Sequence, residues 1–193
     1  LVVRSLRLGG RWSLDGYRRL LDEELLGAIG RTLTTATAAA AIAVTLGILV
    51  ALVTSRRPRS EAGRSWLHVA ESMFMLPLGV SAVTVGFGYL ITLNRPPLDL
   101  RSSIVLVPIA QAVVALPLVI RTLLPTLRAI DLRQVQAAQV LGASPWRVLR
   151  TIELPALGRG LGLALGFALA TSLGEFGATS FLARSDNPTL PVL

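Results

Sequence analysis

Glu175 and His68 are the side chains from which any chemistry in this sequence would have to start. Glu175 lies well inside a long apolar stretch, Leu157 to Leu182, and a charge inside a membrane span costs about 3 kcal/mol on insertion scales. It must therefore face protein or a water-filled cavity, and two readings stand open. Either it lines or gates a solute path together with Gly174 and Gly177, or it is a hydrogen-bonded anchor for a helix break that those glycines permit. Seven residues separate it from Leu182, roughly 10 Å of helix, which puts it in the outer part of a bilayer. His68 stands three residues before Glu71, on one helical face, but two ligands are too few for a metal site. The chain has no cysteine, which excludes disulfides and thiolate chemistry. All 19 basic residues are arginine, so the lysine of a phosphate-cradling G-x-x-x-x-G-K-[ST] loop is missing. The expectation is a chain with no catalytic residue, cofactor or metal of its own.

The densest motif is QAAQVLGASPWRVLRTIELP, residues 136–155. Leu132 to Leu141 are good helix formers, and Gly142 falls where a left-handed helix cap belongs. Ser144 followed by Pro145 is a start signal, a hydroxyl acceptor at the N-cap and a ring that needs no amide hydrogen at the first helical position. A second short helix is expected from Pro145 to about Glu153, with Trp146 and Leu149 on one side, Val148 and Ile152 on another, and Pro155 ending it. The pair is too polar to cross a membrane and too apolar to stand free in water. A DNA-reading helix-turn-helix would need a soluble three-helix core, and no nucleophile, metal ligand or phosphate loop surrounds the segment. A docking surface is the reading that remains.

The elements that position these residues are membrane spans. Hydrophobic residues make up 52% of the chain but aromatics only 5%, an excess carried by Leu, Ala, Val and Gly that soluble domains do not show. Four segments fall within the roughly 17–25 residues that cross a hydrocarbon core: Thr32–Val53, Val69–Leu93, Ile104–Ile120 and Leu157–Leu182. Small residues in the second and fourth favour close helix approach. Gln111 and Ser81 are expected to hydrogen-bond between helices, and Arg121 to snorkel to headgroups. Ahead of them, Tyr17, Leu20, Leu21, Leu25, Ala28 and Ile29 recur at helical spacing, as an interfacial amphipathic helix or a plain connector would. The organisation read from this is a lead segment, 1–31, and a membrane domain, 32–193, with a polar loop at 128–156. The formal charge of +8 lies in bands between apolar segments, a membrane pattern and not a nucleic-acid face. Arg56, Arg57, Arg59 and Arg64, with the arginines from Arg121 to Arg159, outnumber Arg95, Arg101 and Arg184. The lead's arginines offset that bias, and its side is set by whatever precedes it. The 136–155 stretch is then cytoplasmic.

Gln136-Ala137-Ala138, Gly142 three residues later and Ile152-x-Leu154-Pro155 after nine more resemble, in register, the "EAA---G---------I-LP" signature of ABC importer permeases. Gln136 stands where the family has Glu, which removes a charge and keeps a hydrogen-bonding amide. LPLGVSAVTVGFGYL (76–90), ALPLVIRTLLPTLRAID (115–131) and SLGEFGATSFLARSDNPTLPV (172–192) look like stretches of thiamine and ferric-iron permeases, the last also like molybdate and sulfate permeases. The resemblance implies an all-α polytopic bundle, a type I permease core with four spans visible and a fifth expected after Leu193. It implies a bacterial inner-membrane protein whose coupling loop seats on an ABC ATPase dimer through Gln136, Ala137, Ala138, Leu141, Gly142, Ala143, Ser144, Trp146, Leu154 and Pro155. ATP and Mg would be bound by that ATPase. An extracytoplasmic binding protein would deliver substrate, and a second permease core would be fused upstream or supplied by a homodimer. Thiamine or ferric iron is the foremost substrate, a molybdate- or sulfate-type anion the alternative. The rival class is an ion-coupled secondary transporter or channel, which would place acids near the midplane and repeat its broken helices; only Glu175 fits.

Overall fold

The computed structural model describes residues 7–8, 11–12, 23–56, 60–92 and 105–175. Apart from a two-residue antiparallel hairpin, β1 (Arg7–Leu8) and β2 (Arg11–Trp12), the described chain is helical. The helices are α1 (Glu23–Thr54), α2 (Glu61–Gly79), α3 (Ala82–Thr92), α4 (Leu106–Arg128), α5 (Leu132–Val140), α6 (Pro145–Val148) and α7 (Leu154–Leu173). A π-helical turn, Leu149–Glu153, joins the last two.

The core is a three-helix arrangement of α1, α4 and α7. Ala39, Ala40, Ala43 and Ala51 of α1 meet Ala112, Ala115, Val119 and Leu123 of α4 and Leu157, Ala164 and Ala168 of α7. Lipid tails are as apolar as leucine, so these helices associate by close packing, and small residues permit it. Gly47 marks the tightest point: a Cβ there would lie 2.4 Å from Val119 Cγ1. Gly160 does the same for α7, where a Cβ would meet Thr126 Oγ1 at 3.0 Å and Leu123 Cδ2 at 3.3 Å. Leu26, Leu33, Leu46, Leu49 and Val53 of α1 and Leu163, Leu165 and Phe167 of α7 face outward, toward what lipid or a further helix would cover. Hydroxyls inside α1 are satisfied along the helix: Thr32 donates to Ala28 O at 2.8 Å and Thr54 to Val50 O at 2.8 Å. In hydrocarbon an unmade bond of this kind is costly.

Three helices are long and apolar enough to cross a membrane: Leu25–Thr54, Leu106–Arg128 and the continuous run Pro145–Leu173. The expected second span is a broken one. Its helix begins at Glu61, capped by the Ser60 side chain, which accepts from Gly63 N at 3.1 Å, and α2 and α3 meet at a 98° bend. Pro77 and Gly79 precede the break, and the cap amide at Val80 turns back to Pro77 O at 3.4 Å. Ser81 therefore sits exposed at the bend and not inside a helix.

Other expected limits also shift. No break falls between residues 31 and 32, because α1 runs through that point from Glu23. Its 32 residues make roughly 48 Å of helix, longer than a ~30 Å hydrocarbon core, so the end of the lead is the projecting start of the span. The third span, which already contains Pro117, continues past Ile120 to Arg128 through Pro125; prolines are tolerated where packed neighbours hold the helix. Pro155 does not end a helix. It lies in the first turn of α7, where a missing N–H costs nothing, and the π-turn absorbs the irregularity, with Leu154 N–H bonding Leu149 O. Within the Pro145–Leu173 run, the α-helix proper starts at Leu154 and ends at Leu173. Residues Tyr17, Leu20 and Leu21 of the lead, and everything after Glu175, lie outside the described residues.

Candidate functional site

The 136–155 segment is built from local rules that hold nearly residue for residue. Asp131 caps α5, its Oδ1 accepting from Arg133 N at 2.9 Å. At the other end Gly142 takes φ +80°, the left-handed conformation that glycine adopts without a Cβ penalty. Ala143 N then reaches Ala138 O at 2.9 Å and Gly142 N reaches Gln139 O at 3.0 Å, the paired bonds of a Schellman cap. Ser144 Oγ accepts from Arg147 N at 3.3 Å with Pro145 directly after it, so α6 starts where the sequence expects.

The result is a protruding corner with apolar side chains on its outside. Val140 is 87% exposed, Leu141 84% and Trp146 65%; Val148 points inward and is buried. Trp146, which a soluble domain would bury, is on the surface. Gln136 and Ala137 are exposed, Ala138 and Ala143 half-buried. The corner thus brings together Ala137, Ala138, Leu141, Gly142, Ala143, Ser144 and Trp146. Leu154 and Pro155 belong to the root of α7 instead.

Beneath the corner lies a cleft of about 350 Å³ lined by Arg56, Arg128, Gln136, Gln139 and Glu153 among others. Two ion pairs flank it. Arg56 meets Glu153 in a fork, Nη1 to Oε1 at 3.2 Å and Nη2 to Oε2 at 3.2 Å, and Arg128 Nη2 meets Glu71 Oε2 at 2.7 Å. Gln136 contributes an amide to this cleft and adds no charge to the two pairs. Neither pair is legible in the sequence, since Arg56 and Glu153 are 97 residues apart and both arginines read as interfacial charge. Glu71 faces Arg128, and no group of three or more potential metal ligands occurs among the described residues.

Toward the other end of the bundle, Gly174 caps α7 through its N–H to Ala170 O at 3.2 Å, and Glu175 follows it, buried. The helix stops one residue before the cap, so the acid sits just past a helix end and not inside a span that continues unbroken. Gly177 lies outside the described residues. The register set by Gly160 against Leu123 and Thr126 brings Ser172 near the level of Gln111, and both are buried. Arg121 lies on an exposed face of α4, about 10 Å of helix before Arg128.

The sequence profile of a family described as binding-protein-dependent transport system inner membrane component matches residues 43–190. A molybdenum transport system permease protein of Haemophilus influenzae is 36% identical over 183 residues, covering 86% of this chain and 77% of that protein. A thiamine transport system permease protein of Escherichia coli is 31% identical over 183 residues, 92% of this chain and 34% of the relative; the chain spans about a third of its length. A Salmonella typhi permease protein named for 2-aminoethylphosphonate transport is 30% identical over a 210-residue alignment, 100% of this chain and 71% of that protein.

Proposed function

The chain belongs to the binding-protein-dependent transport system inner membrane components, the permeases of type I ABC importers, and from that premise we propose that residues 132–153 are its seat on an ATPase subunit. The observation that carries this reading is the corner made by Val140, Leu141 and Trp146, each mostly exposed on a segment rigidly capped at both ends. Large apolar side chains left this exposed on a polar loop outside the membrane spans favour an interaction site. The partner would be an ABC ATPase dimer that binds ATP and Mg; the permease would perform no hydrolysis. Closure of that dimer would draw paired corners together and rock the permease between inward-open and outward-open states, which nucleotide can bias only by binding them unequally.

An extracytoplasmic binding protein would hand substrate to the outer face, where Gly174 and buried Glu175 would line or gate the path. A second permease core, fused upstream or a second copy, would complete the pore. The substrate is a small nutrient. Thiamine or ferric iron is the first reading, its thiamine half supported by the 31% identity that runs over 92% of this chain; an oxyanion of the molybdate kind is the second, supported by the 36% identity to the molybdenum relative.

Co-purification tests the seat. Replacing Ala138 and Gly142 by Trp should abolish recovery of the ATPase subunit with the permease while membrane abundance is kept. Recovery at the parent level would overturn it. Uptake of radiolabelled thiamine against molybdate into proteoliposomes, with the binding protein supplied, decides between the substrates.

A further inference from the structure

Motion at the docking corner has an unbroken route into α7, because Pro145–Leu173 is one continuous helical run through the π-turn. α1 packs on α7 and α4 through apolar and small residues in the core, contacts that set distance without tying its cytoplasmic end to the corner. Among the described residues, the ion pair between that end of α1 and the segment leading from the corner is Arg56–Glu153, 97 residues apart in sequence. We infer that Arg56 and Glu153 form a strut that makes the cytoplasmic end of α1 move with the docking segment, an inference that rests on the docking reading.

Three features favour a strut over an incidental surface pair. The geometry is one hydrogen bond, Nη2 to Oε2 at 3.2 Å, with Nη1 also 3.2 Å from Oε1, and a planar guanidinium close to both carboxylate oxygens restricts direction as well as distance. Glu153 is nearly buried, its side chain 11% exposed against 57% for Arg56, so loss of the arginine would leave a carboxylate with little access to water and no cation beside it. Its position is the last residue of the π-turn, the point where the docking helix becomes the span. On the flank of the same cleft, Arg128 and Glu71 tie α4 to α2 in the same manner. The segment is thereby braced against α1 on one side, while the cleft leaves room for the α5 corner to shift.

Arg56 and Glu153 are positioning residues here, and the test reads position. The chain has no cysteine, so nitroxide labels at Val53→Cys on α1 and Thr151→Cys on the π-turn, both exposed, can be placed in the assembled transporter in nanodiscs. Their distance distribution is recorded without nucleotide and with ATP and vanadate. The parent should give one narrow distance in both states. Arg56→Gln and Glu153→Gln should each match the parent without nucleotide and shift or broaden with it, by on the order of 2 Å, the scale of helix displacements at interfaces. The double substitution should do no more than either single one, and Arg56→Lys, which keeps charge and loses the fork, should fall between. Singles indistinguishable from the parent with nucleotide, or additive effects in the double, would overturn the strut. If the unlabelled parent fails to hold its ATPase subunit at all, the docking reading falls and the strut with it.

Discussion

Gly142 carries the conformational demand of the corner at residues 132–153, the proposed docking seat. Its φ of +80° is one that side chains other than glycine rarely adopt, and nothing lies within 4 Å of where a Cβ would stand. A substitution there is therefore tested for backbone strain without steric interference. Gly142→Ala should cost about 1 kcal/mol locally, read as roughly fivefold faster amide exchange at the C-terminal end of α5 with the rest of the bundle unchanged. This residue, Ser144 and Asp131 are legible from sequence because capping is a rule of neighbours, decided within five residues. Glu175 is legible as costly but not as placed, since composition marks an acid among apolar residues and says nothing of where the helix stops. The structure ends α7 before it, so its carboxyl is buried at a helix end and not within a continuous helical turn. Glu175→Gln is expected to reduce substrate uptake several-fold at unchanged membrane abundance; equal uptake at equal abundance would leave it the anchor role.

At the scale of elements, packing is set by what is absent. The approach of α1 to α4 depends on Gly47 having no Cβ, since one would lie 2.4 Å from Val119 Cγ1 and 3.2 Å from its Cβ. Gly47→Ala should then separate the two helices or twist Val119 from its rotamer, at about 1–3 kcal/mol, lowering the melting temperature of the purified permease. Removing the obstructing methyls with Val119→Ala in the same chain should restore most of the loss. Gly47 was not separable in the sequence from other small residues of the span, because the pairing partner sits 72 positions away. The same limit explains the ends of the elements. Hydropathy finds the middle of each span, where composition is uniform, and misplaces its ends: α2 starts at Glu61 and α4 ends at Arg128, where helices carry polar residues past the apolar stretch. Pro155 reads as a terminator because a proline disturbs an α-helical ladder. In place, the π-turn before it lets the docking helix and α7 run on as one rod, and that continuity is what would turn a local push into motion of a span.

On the scale of the whole molecule, every relation turns on which way the bundle stands in the membrane. The side-chain contacts make α1 and α4 run in the same direction and α7 opposite to both: Gly47 lies against Val119, Arg56 against Glu153, and Gly160 against Thr126. The ends of α1 and α4, the starts of α2 and α7 and the docking corner therefore share one face, and Glu175 and the start of α4 share the other. Among the described residues, Arg56, Arg64, Arg128, Arg133, Arg147, Arg150 and Arg159 lie in or next to elements of the first face and Arg31 in the start of α1 on the other, the bias the positive-inside rule expects of a cytoplasmic side. With no native cysteine to interfere, Gln134→Cys on α5 and Val105→Cys at the start of α4, both exposed, report the two faces separately. In intact cells stripped of their outer membrane, a membrane-impermeant maleimide should modify Val105→Cys and spare Gln134→Cys. Permeabilising the inner membrane should expose Gln134→Cys in full. The reverse pattern would put the docking corner on the side without ATP, and an ATPase seat at residues 132–153 could not then operate.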